Sequence, residues 1–328
     1  MHPAYSVILF TTASGAGYGL LVWLCAGVLV GGVPADRGFG FIGLGLALTL
    51  VTTGLLSSLL HLGRPERAWR AFSQWRSSWL SREGVAAVAT YVPAGLLGIG
   101  WVFLADVSGV FAVFAALAIV GAAATVWCTG MIYGSLTTIK AWHHPLVAPL
   151  YCMLALVTGG ILFNVLLTFW SGVNSGFVWL GLVVLLAGWL MKVVYWSQID
   201  TQAPTLNAGD ATGLGRFGTV SVLEPAHTRF GTVSVLEPAH TQPNFVMREM
   251  GYQVARKHAE KLRILATACL FVVPALCLLM LLVAAPSAAA LVGLIAVLAM
   301  VVGVLAERWL FFAQAKHIVM LYYGAEAI

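Results

Sequence analysis

Long apolar runs separated by short polar stretches dominate this chain of 328 residues. A helix needs about 20 consecutive apolar residues to cross the hydrocarbon core of a bilayer. Eight runs reach roughly that length, so the pattern predicts an all-α integral membrane protein with eight transmembrane helices in a bundle. The predicted spans are residues 4–30, 40–60, 84–104, 110–133, 147–169, 177–197, 264–284 and 288–314.

The composition supports this interpretation. Hydrophobic residues make up 60% of the chain and charged residues 9%, with a mean hydropathy of +0.93. A soluble domain carries about 25% charged residues, so this chain cannot cover a water-facing surface, and we expect lipid rather than nucleic acid around it. The first run lacks a basic leader, and its "SGAGYG" favours helix packing over a signal-peptide cleavage site. Five cysteines lie in apolar runs without C-x-x-C spacing, which predicts buried thiols and no iron–sulfur cluster or other metal site.

Positive charge is concentrated on one side of the predicted bundle. With eight spans, both termini share one face, called face A, with the loops 61–83, 134–146 and 198–263. Of the 17 Lys and Arg, only Arg37 falls on the opposite side. The positive-inside rule therefore predicts that face A, including both termini and the long loop, lies in the cytoplasm.

The 198–263 loop is the longest segment outside the predicted spans. "RFGTVSVLEPAHT" occurs there twice in tandem, at 216–228 and 229–241. A 13-residue unit is too short for a solenoid repeat, and a loop accepts extra length at little entropic cost, so we assign the repeat no function. The stretch before it, "QIDTQAPTLNAGDATGLG", is expected to be turn-rich and extended. "PNFVMREMGYQVARKHAEKLR", after it, predicts a surface helix leading into span seven, and we interpret the loop as a docking surface.

Polar residues crowd the face A edge between spans two and three, in "HLGRPERAWRAFSQWRSSWLSREG" at 61–84. His61 closes span two, on the same helix face as Ser58. Glu83 begins span three on the same side of the membrane, within reach of His61. Between them Pro65 can start a short helix that lies along the lipid headgroups.

This edge has the chemistry of a proton-handling site. Histidine titrates near neutral pH, and a nearby carboxylate can accept or relay its proton. A lipid-soluble carrier of two electrons and two protons needs such a pair. Simpler interpretations remain open: His61 as an ordinary interfacial histidine, Glu83 in a first turn where a carboxylate suits the helix dipole, and the tryptophans as an aromatic belt.

Three stretches, "MHPAYSVILFTTASGAGYGLL" at 1–21, the 61–84 block and "PNFVMREMGYQVARKHAEKLR" at 243–263, resemble the membrane-anchor subunit of the dimethyl sulfoxide reductase family (DmsC-like anchors). The resemblance covers essentially the whole chain, although one copy of the tandem repeat departs from it. It implies an eight-helix subunit of the bacterial inner membrane without haem. Such a subunit anchors a molybdopterin catalytic subunit and a four-cluster iron–sulfur subunit, and exchanges electrons with the quinone pool.

The resemblance also implies roles for particular residues. The quinol-site histidine of the family matches His61, and its glutamate matches Glu83 in "SREG". Arg64 either keeps Glu83 ionised or faces the partner. Further candidates for bonding or stacking a quinone ring are Ser58, Tyr18, Trp79 and Tyr133. Candidates for docking the partner are Arg67, Arg70, Arg76, Arg256 and Lys257.

The family includes members that work in opposite directions with ubiquinone or menaquinone. Because the quinone edge, the long loop and the basic residues share face A, we favour the sulfite dehydrogenase kind, which reduces quinone; the alternative is a quinol-oxidising dimethyl sulfoxide reductase kind. A haem b anchor would need paired axial ligands, and none of the eight histidines lies mid-span. A transporter would need broken helices with polar groups at mid-depth. A purely structural anchor also remains open.

Overall fold

In the part of the chain that the structure describes, eight helices are long and apolar enough to cross a membrane, which confirms the predicted all-α architecture. The computed structural model describes residues 3–202, 206–207, 209–210, 226–228, 231–233, 244–250 and 254–323, and within these the side chains of 61, 226–228, 231–233, 255, 256 and 323 are not described. The spanning helices are α1 (Tyr5–Leu29), α2 (Arg37–Leu60), α3 (Trp79–Leu104), α4 (Val110–Gly134), α5 (Val147–Ser171), α6 (Ser175–Thr201), α7 (Ala259–Leu281) and α8 (Pro286–Ala313).

Three of these helices change their winding. The regular part of α2 is Arg37–Ser57, and its last turn, Ser58–His61, is a 3₁₀-helix. The end of α3, Ile99–Leu104, is a π-helix. In α7 a π-helical turn, Ala268–Val272, directly precedes Pro274, whose missing N–H cannot complete a regular α-helical ladder.

The shorter elements lie in the connections. Face A carries a 3₁₀-helix, Pro65–Gln74, which confirms the helix start predicted at Pro65. The other short elements are the helices Phe245–Met250 and Val254–Lys257, the 3₁₀-helix Ile318–Tyr323, and the antiparallel strands β1 (Ala226–Thr228) and β2 (Gly231–Val233).

α1 and α5 form the centre of the bundle. In both helices 72% of the most apolar window is buried, against 28–39% in the other six, so these two helices face protein rather than lipid. The two helices approach each other closely at Gly19, because glycine has no side chain there. A Cβ at this position would lie 1.7 Å from the Ala155 carbonyl oxygen. The indole of Trp23 donates a hydrogen bond to the Leu156 carbonyl across the same interface (2.9 Å). The small residues of "SGAGYG" therefore serve packing, as predicted.

The other helices attach to this central pair in two groups. α2 and α4 pack on α1, and α3 packs on α4, so α1–α4 share one apolar core with parts of α5, α6 and α8. A second core lies among α5, α6, α7 and α8. The candidate site lies at the face A end of the first group.

The described parts of the long loop are short. β1 ends the first copy of the tandem repeat and β2 lies in the second, so the strand pair spans the junction of the two copies. The predicted surface helix is described as two short helices before α7 begins at Ala259; its Pro243 and most of the predicted extended stretch lie outside the described residues. Arg263 pairs with Asp200 at 2.5 and 2.9 Å and joins the base of α7 to the end of α6.

Candidate functional site

A large cavity of about 860 Å³ opens at the face A end of α1–α4. Its walls come from the first turns of α1 and α3, the last turns of α2 and α4, and the 3₁₀-helix Pro65–Gln74, hereafter the interfacial segment. Most of its lining is apolar, including Val7, Phe10, Leu59, Phe72, Ala87 and Ile132. Its polar lining includes Ser58, Arg64, Arg67, Ser81, Glu83 and Tyr133. Volumes of about 300–1,000 Å³ with a few polar groups on apolar walls are typical of small-molecule sites.

Glu83 is the buried acid of this cavity. The Ser78 side chain caps α3 by accepting a hydrogen bond from the Ser81 amide (3.5 Å), so the helix begins at Trp79 and not near 84 as predicted. Glu83 is therefore in the second turn, and the interpretation of it as a first-turn partner of the helix dipole is wrong. Its side chain is only 4% exposed, and the Thr129 hydroxyl donates a hydrogen bond to its Oε1.

The interfacial segment covers the cavity from face A. Its Phe72 lies against Gly84 of α3, where an added Cβ would come within 3.2 Å of the Phe72 ring. Arg82 holds the far end, because its guanidinium donates to the carbonyls of Trp75 (3.0 Å) and Arg76 (2.6 Å). The interfacial segment is therefore held against the start of α3 by the two residues that flank Glu83, Arg82 and Gly84.

The structure brings several predicted residues together. Ser58, Arg64, Glu83 and Tyr133 all line the large cavity, although the Ser58 hydroxyl donates to its own helix at the Leu55 carbonyl (2.6 Å). Arg64 is exposed at the cavity edge and makes no ion pair with Glu83. The idea that Arg64 keeps Glu83 ionised by direct pairing is therefore not supported.

His61 is the last residue of the 3₁₀ turn that ends α2, at the rim of this region. Its side chain lies outside what the structure describes, so its role as a quinone ligand stays a prediction.

Two predicted candidates for contacting a quinone ring, Tyr18 and Trp79, are absent from the lining of this cavity. Tyr18 is 3% exposed in the middle of α1, inside the core and deeper in the bundle than the cavity lining. Trp79 is half-buried and lies under the guanidinium of Arg82 at 4.3 Å. Neither residue belongs to the cavity lining, so their role in contacting a quinone ring stays a prediction.

The predicted docking residues are found at the surface where the structure describes them. Arg67, Arg70 and Arg76 are exposed, and the guanidiniums of Arg70 and Arg76 lie over neighbouring indole rings at 5.6 and 5.2 Å. Lys257 is also exposed, and the side chain of Arg256 lies outside the described residues. Their role in docking stays a prediction.

Sequence reasoning missed a buried ion triplet, Lys192, Glu307 and Arg308. The Glu307 carboxylate accepts a hydrogen bond from Lys192 on α6 and another from Arg308 Nε at 2.5 Å. All three side chains are at most 4% exposed. The positive-inside argument counts Lys192 and Arg308 only as orientation signals, and it assigns no role to Glu307. Ionisable residues inside predicted spans were the available signal.

A small cavity of about 20 Å³, with both polar and apolar lining residues, lies between this triplet and Glu83. It is lined by Thr129, whose hydroxyl bonds Glu83, and by Arg308 of the triplet. Tyr151 also lines it, with the Arg308 guanidinium 4.2 Å from its ring centre. The hydroxyl-bearing residues Thr11, Thr12, Ser14 and Thr158 complete the polar part of its wall.

The fold and the large cavity define a multi-pass membrane protein with a ligand-sized pocket at one edge of its helix bundle. The profile of the family described as DMSO reductase anchor subunit (DmsC) matches residues 1–324, and the chain belongs to that family. The resemblance inferred from the sequence is thus confirmed.

Two relatives show the range of the family. The C subunit of sulfite dehydrogenase from Allochromatium vinosum is 31% identical to this protein over the full length of both. The C component of the anaerobic dimethyl sulfoxide reductase from Escherichia coli is 27% identical over 175 residues, which cover 52% of this protein and 60% of the relative. No solved structure matches the chain.

Proposed function

We propose that this chain is the membrane anchor and quinone-reactive subunit of a molybdopterin oxidoreductase complex. One observation carries the proposal: a buried acid, Glu83, lines a large and mostly apolar cavity at the edge of the bundle in a member of this anchor family. A ubiquinone or menaquinone combines a flat ring, two polar oxygens and a long apolar tail. The cavity offers matching walls for the ring and tail, and a few polar groups for the oxygens.

The side chains around the cavity have distinct roles in this proposal. Glu83 accepts a proton from a quinol or returns one to a reduced quinone, since its carboxyl group is held by a neutral donor and not by a cation. The Tyr133 hydroxyl and the His61 imidazole bond the ring oxygens. Phe72 and Ile132 confine the ring from opposite walls.

The proposed partners lie on face A. The exposed arginines of the interfacial segment stand beside the cavity, so an iron–sulfur subunit docked there would bring its nearest cluster close to the quinone. No metal is then needed in this chain. The molybdopterin subunit binds beyond the iron–sulfur subunit. By the charge argument this soluble pair is cytoplasmic, and the anchor spans the bacterial inner membrane.

The direction of electron flow follows the relative that matches over its full length. Since that relative is a sulfite dehydrogenase subunit, we propose that the complex oxidises sulfite and reduces quinone. The second candidate is quinol oxidation for dimethyl sulfoxide reduction, which the partial match to the Escherichia coli relative favours. Assaying the purified complex with sulfite plus a water-soluble quinone, and with a quinol plus dimethyl sulfoxide, separates the two.

Binding of a fluorescent quinol-site inhibitor to the whole complex tests the site. We expect Glu83→Gln to lower quinone-coupled turnover at least about 100-fold, because it removes the proton acceptor, and His61→Ala to weaken inhibitor binding. Glu260→Gln and His143→Ala change exposed side chains that do not line the cavity, and they serve as matched controls. Wild-type turnover and binding in Glu83→Gln would refute the proposed site.

A further inference from the structure

The buried charges of the described residues point to a coupling between Glu83 and the ion triplet of Lys192, Glu307 and Arg308. Four charged side chains are buried in this part of the chain: Glu83, Lys192, Glu307 and Arg308. With all groups ionised, the ion triplet carries one excess positive charge. An uncompensated charge in a low-dielectric interior is strongly unfavourable. Glu83 is the remaining buried acid, so the buried charge sums to zero when Glu83 is ionised.

The small cavity provides the physical connection. Its volume of about 20 Å³ exceeds the roughly 10–15 Å³ that one water molecule needs, and its polar wall offers that water several partners. The Thr129 hydroxyl donates its hydrogen to Glu83, which leaves its oxygen free to accept one from the water. On the other side stand Arg308 and the Tyr151 hydroxyl, which has no direct hydrogen-bond partner among the described residues. One water can therefore link the triplet to Glu83 through Thr129.

A purely structural role explains only part of the triplet. The pair of Lys192 and Glu307 joins α6 to α8, as a buried helix-to-helix link would. A single lysine already neutralises Glu307, however, so this role does not require a second buried cation. Arg308 borders the small cavity, on the side from which it can act on Glu83.

We propose that the ion triplet is a positioning charge for the quinone site, favouring the ionised form of Glu83 through a water in the small cavity. An ionised Glu83 is ready to take a proton from a quinol, and a protonated Glu83 readily gives one to a reduced quinone. The catalytic meaning rests on the proposed function. The coupling between Glu83 and the triplet is a property of this chain and exists without quinone.

Other groups that face Glu83 do not supply this charge. Tyrosine and cysteine are neutral near pH 7, and the nearby arginines lie on the water-facing side, where solvent screens them. These groups are Tyr18 of α1, Cys128 and Tyr133 of α4, Tyr151 of α5, Arg82 beside Glu83, and Arg64 and Arg67 at the large cavity. Among the described residues, the buried cations are Lys192 and Arg308 of the triplet, and we therefore assign the positive field at Glu83 to them.

Charge variants of the triplet test the coupling, because the proposal predicts that they shift the titration midpoint of Glu83 in opposite directions. The readout is the carboxylic C=O band of Glu83, followed by infrared difference spectroscopy during a pH titration of the quinone-free complex and assigned by its loss in Glu83→Gln. Lys192→Met removes the excess positive charge, so we expect the titration midpoint to rise by about one pH unit. Glu307→Gln leaves two cations, so we expect it to fall by a similar amount.

Two further variants separate charge from packing. Arg308→Lys keeps the charge, and its midpoint should stay near that of wild type. Tyr151→Phe removes a hydroxyl from the small cavity and should reduce the shift that Lys192→Met causes. Tyr195→Phe is its matched control, since the Tyr195 hydroxyl donates to the Ala141 carbonyl (2.8 Å) outside that cavity.

The sign of the shifts decides the outcome. Midpoints that move in the same direction in Lys192→Met and Glu307→Gln, or do not move in complexes that assemble, would overturn the coupling. If either variant fails to assemble, Tyr151→Phe alone decides: weakening the water link should raise its midpoint above that of Tyr195→Phe, and equal midpoints would overturn the coupling. Failure of the quinone site shows differently: Glu83→Gln would keep wild-type quinone-coupled turnover, while the opposite shifts persist.

Discussion

Glu83 and Glu307 are two glutamates of the same bundle, both buried and both near face A, yet their surroundings differ. Glu307 accepts hydrogen bonds from two cations, Lys192 and Arg308, and does not line the large cavity. Glu83 accepts one hydrogen bond from the neutral Thr129 and borders that cavity. Two cations fix a carboxylate in its charged form, whereas a single hydroxyl lets the carboxyl group change its protonation. The comparison indicates that one acid supports the bundle and the other can react.

The largest expected effect separates the two acids by stability. Glu307→Ala leaves two buried cations without a counterion, so we expect a loss of about 3–5 kcal/mol in the free energy of unfolding. Glu83→Ala leaves a neutral hydroxyl unpaired and should cost less, about 1–3 kcal/mol. Denaturant unfolding of both variants in the same detergent measures the difference. A greater loss in Glu83→Ala would reverse the assignment of roles.

The next effect concerns access to Glu83. Gly63 lines the large cavity and has no atom within 4 Å of an added Cβ, so Gly63→Phe can introduce a ring without a backbone clash. We expect inhibitor binding to weaken about tenfold, since the ring takes up ligand space.

Gly45→Phe is the matched control for this variant. Gly45 is equally open, lies on the exposed side of α2, and is absent from the cavity lining. Equal inhibitor affinity in the two phenylalanine variants would show that the ligand binds elsewhere.

A smaller effect concerns the hydrogen bond that holds Glu83. Thr129→Val removes the donor but keeps the shape of the side chain, and we expect a loss of about 1 kcal/mol in transition-state stabilisation, a roughly fivefold drop in turnover. Thr129→Ser keeps the hydroxyl and should restore most of the rate. Thr168→Val is the control: it lies near the end of α5 that is far from face A and loses only a hydrogen bond to the Asn164 carbonyl, so this variant should turn over normally. A slow Thr129→Ser variant would point to packing instead.

The smallest effect lies outside the spanning helices and does not involve either acid. Burial lowers the pKa of His144, and a hydrogen bond with Gln198 partly opposes this change. The neutral imidazole accepts a bond from the Leu146 amide (3.2 Å) just before α5. Its contribution to stability is therefore present above the unfolded pKa of about 6.5 and is lost as the pH falls.

Thermal unfolding at pH 8 and pH 5 measures this contribution. We expect the melting temperature of wild type to fall by about 1 °C more than that of His144→Gln, because glutamine offers a neutral acceptor at both pH values. An identical pH dependence in the two proteins would exclude His144 as the cause.

The sequence predicted the eight spans because apolar length alone decides whether a helix can cross a bilayer. Its error at span three has a clear origin. By composition, the polar edge includes Trp79, Arg82 and Glu83. Because Ser78 caps α3, however, the helix begins at Trp79 and all three residues are helical. The grouping of Ser58, Arg64 and Glu83 was predictable since a short connection keeps the ends of α2 and α3 together.

The rest of the site depended on packing between helices far apart in the chain. Thr129 and Tyr151 lie in apolar runs where isolated hydroxyls are common, and no local pattern shows that they meet beside Glu83. Glu307 could have been recognised, because a charged pair within a predicted span rarely occurs without a function or a partner. It was overlooked since the neighbouring Arg308 was interpreted only as an orientation signal.

The bond between Asp200 and Arg263 has a consequence for the long connection that holds the tandem repeat. It joins the end of α6, where the connection begins, to the start of α7, where the connection ends, through two hydrogen bonds of 2.5 and 2.9 Å. Material can therefore be added or removed in between without moving either helix, because loop closure depends only weakly on length. The 13-residue tandem repeat lies within this connection, and the same place suits a fluorescent reporter or an affinity handle.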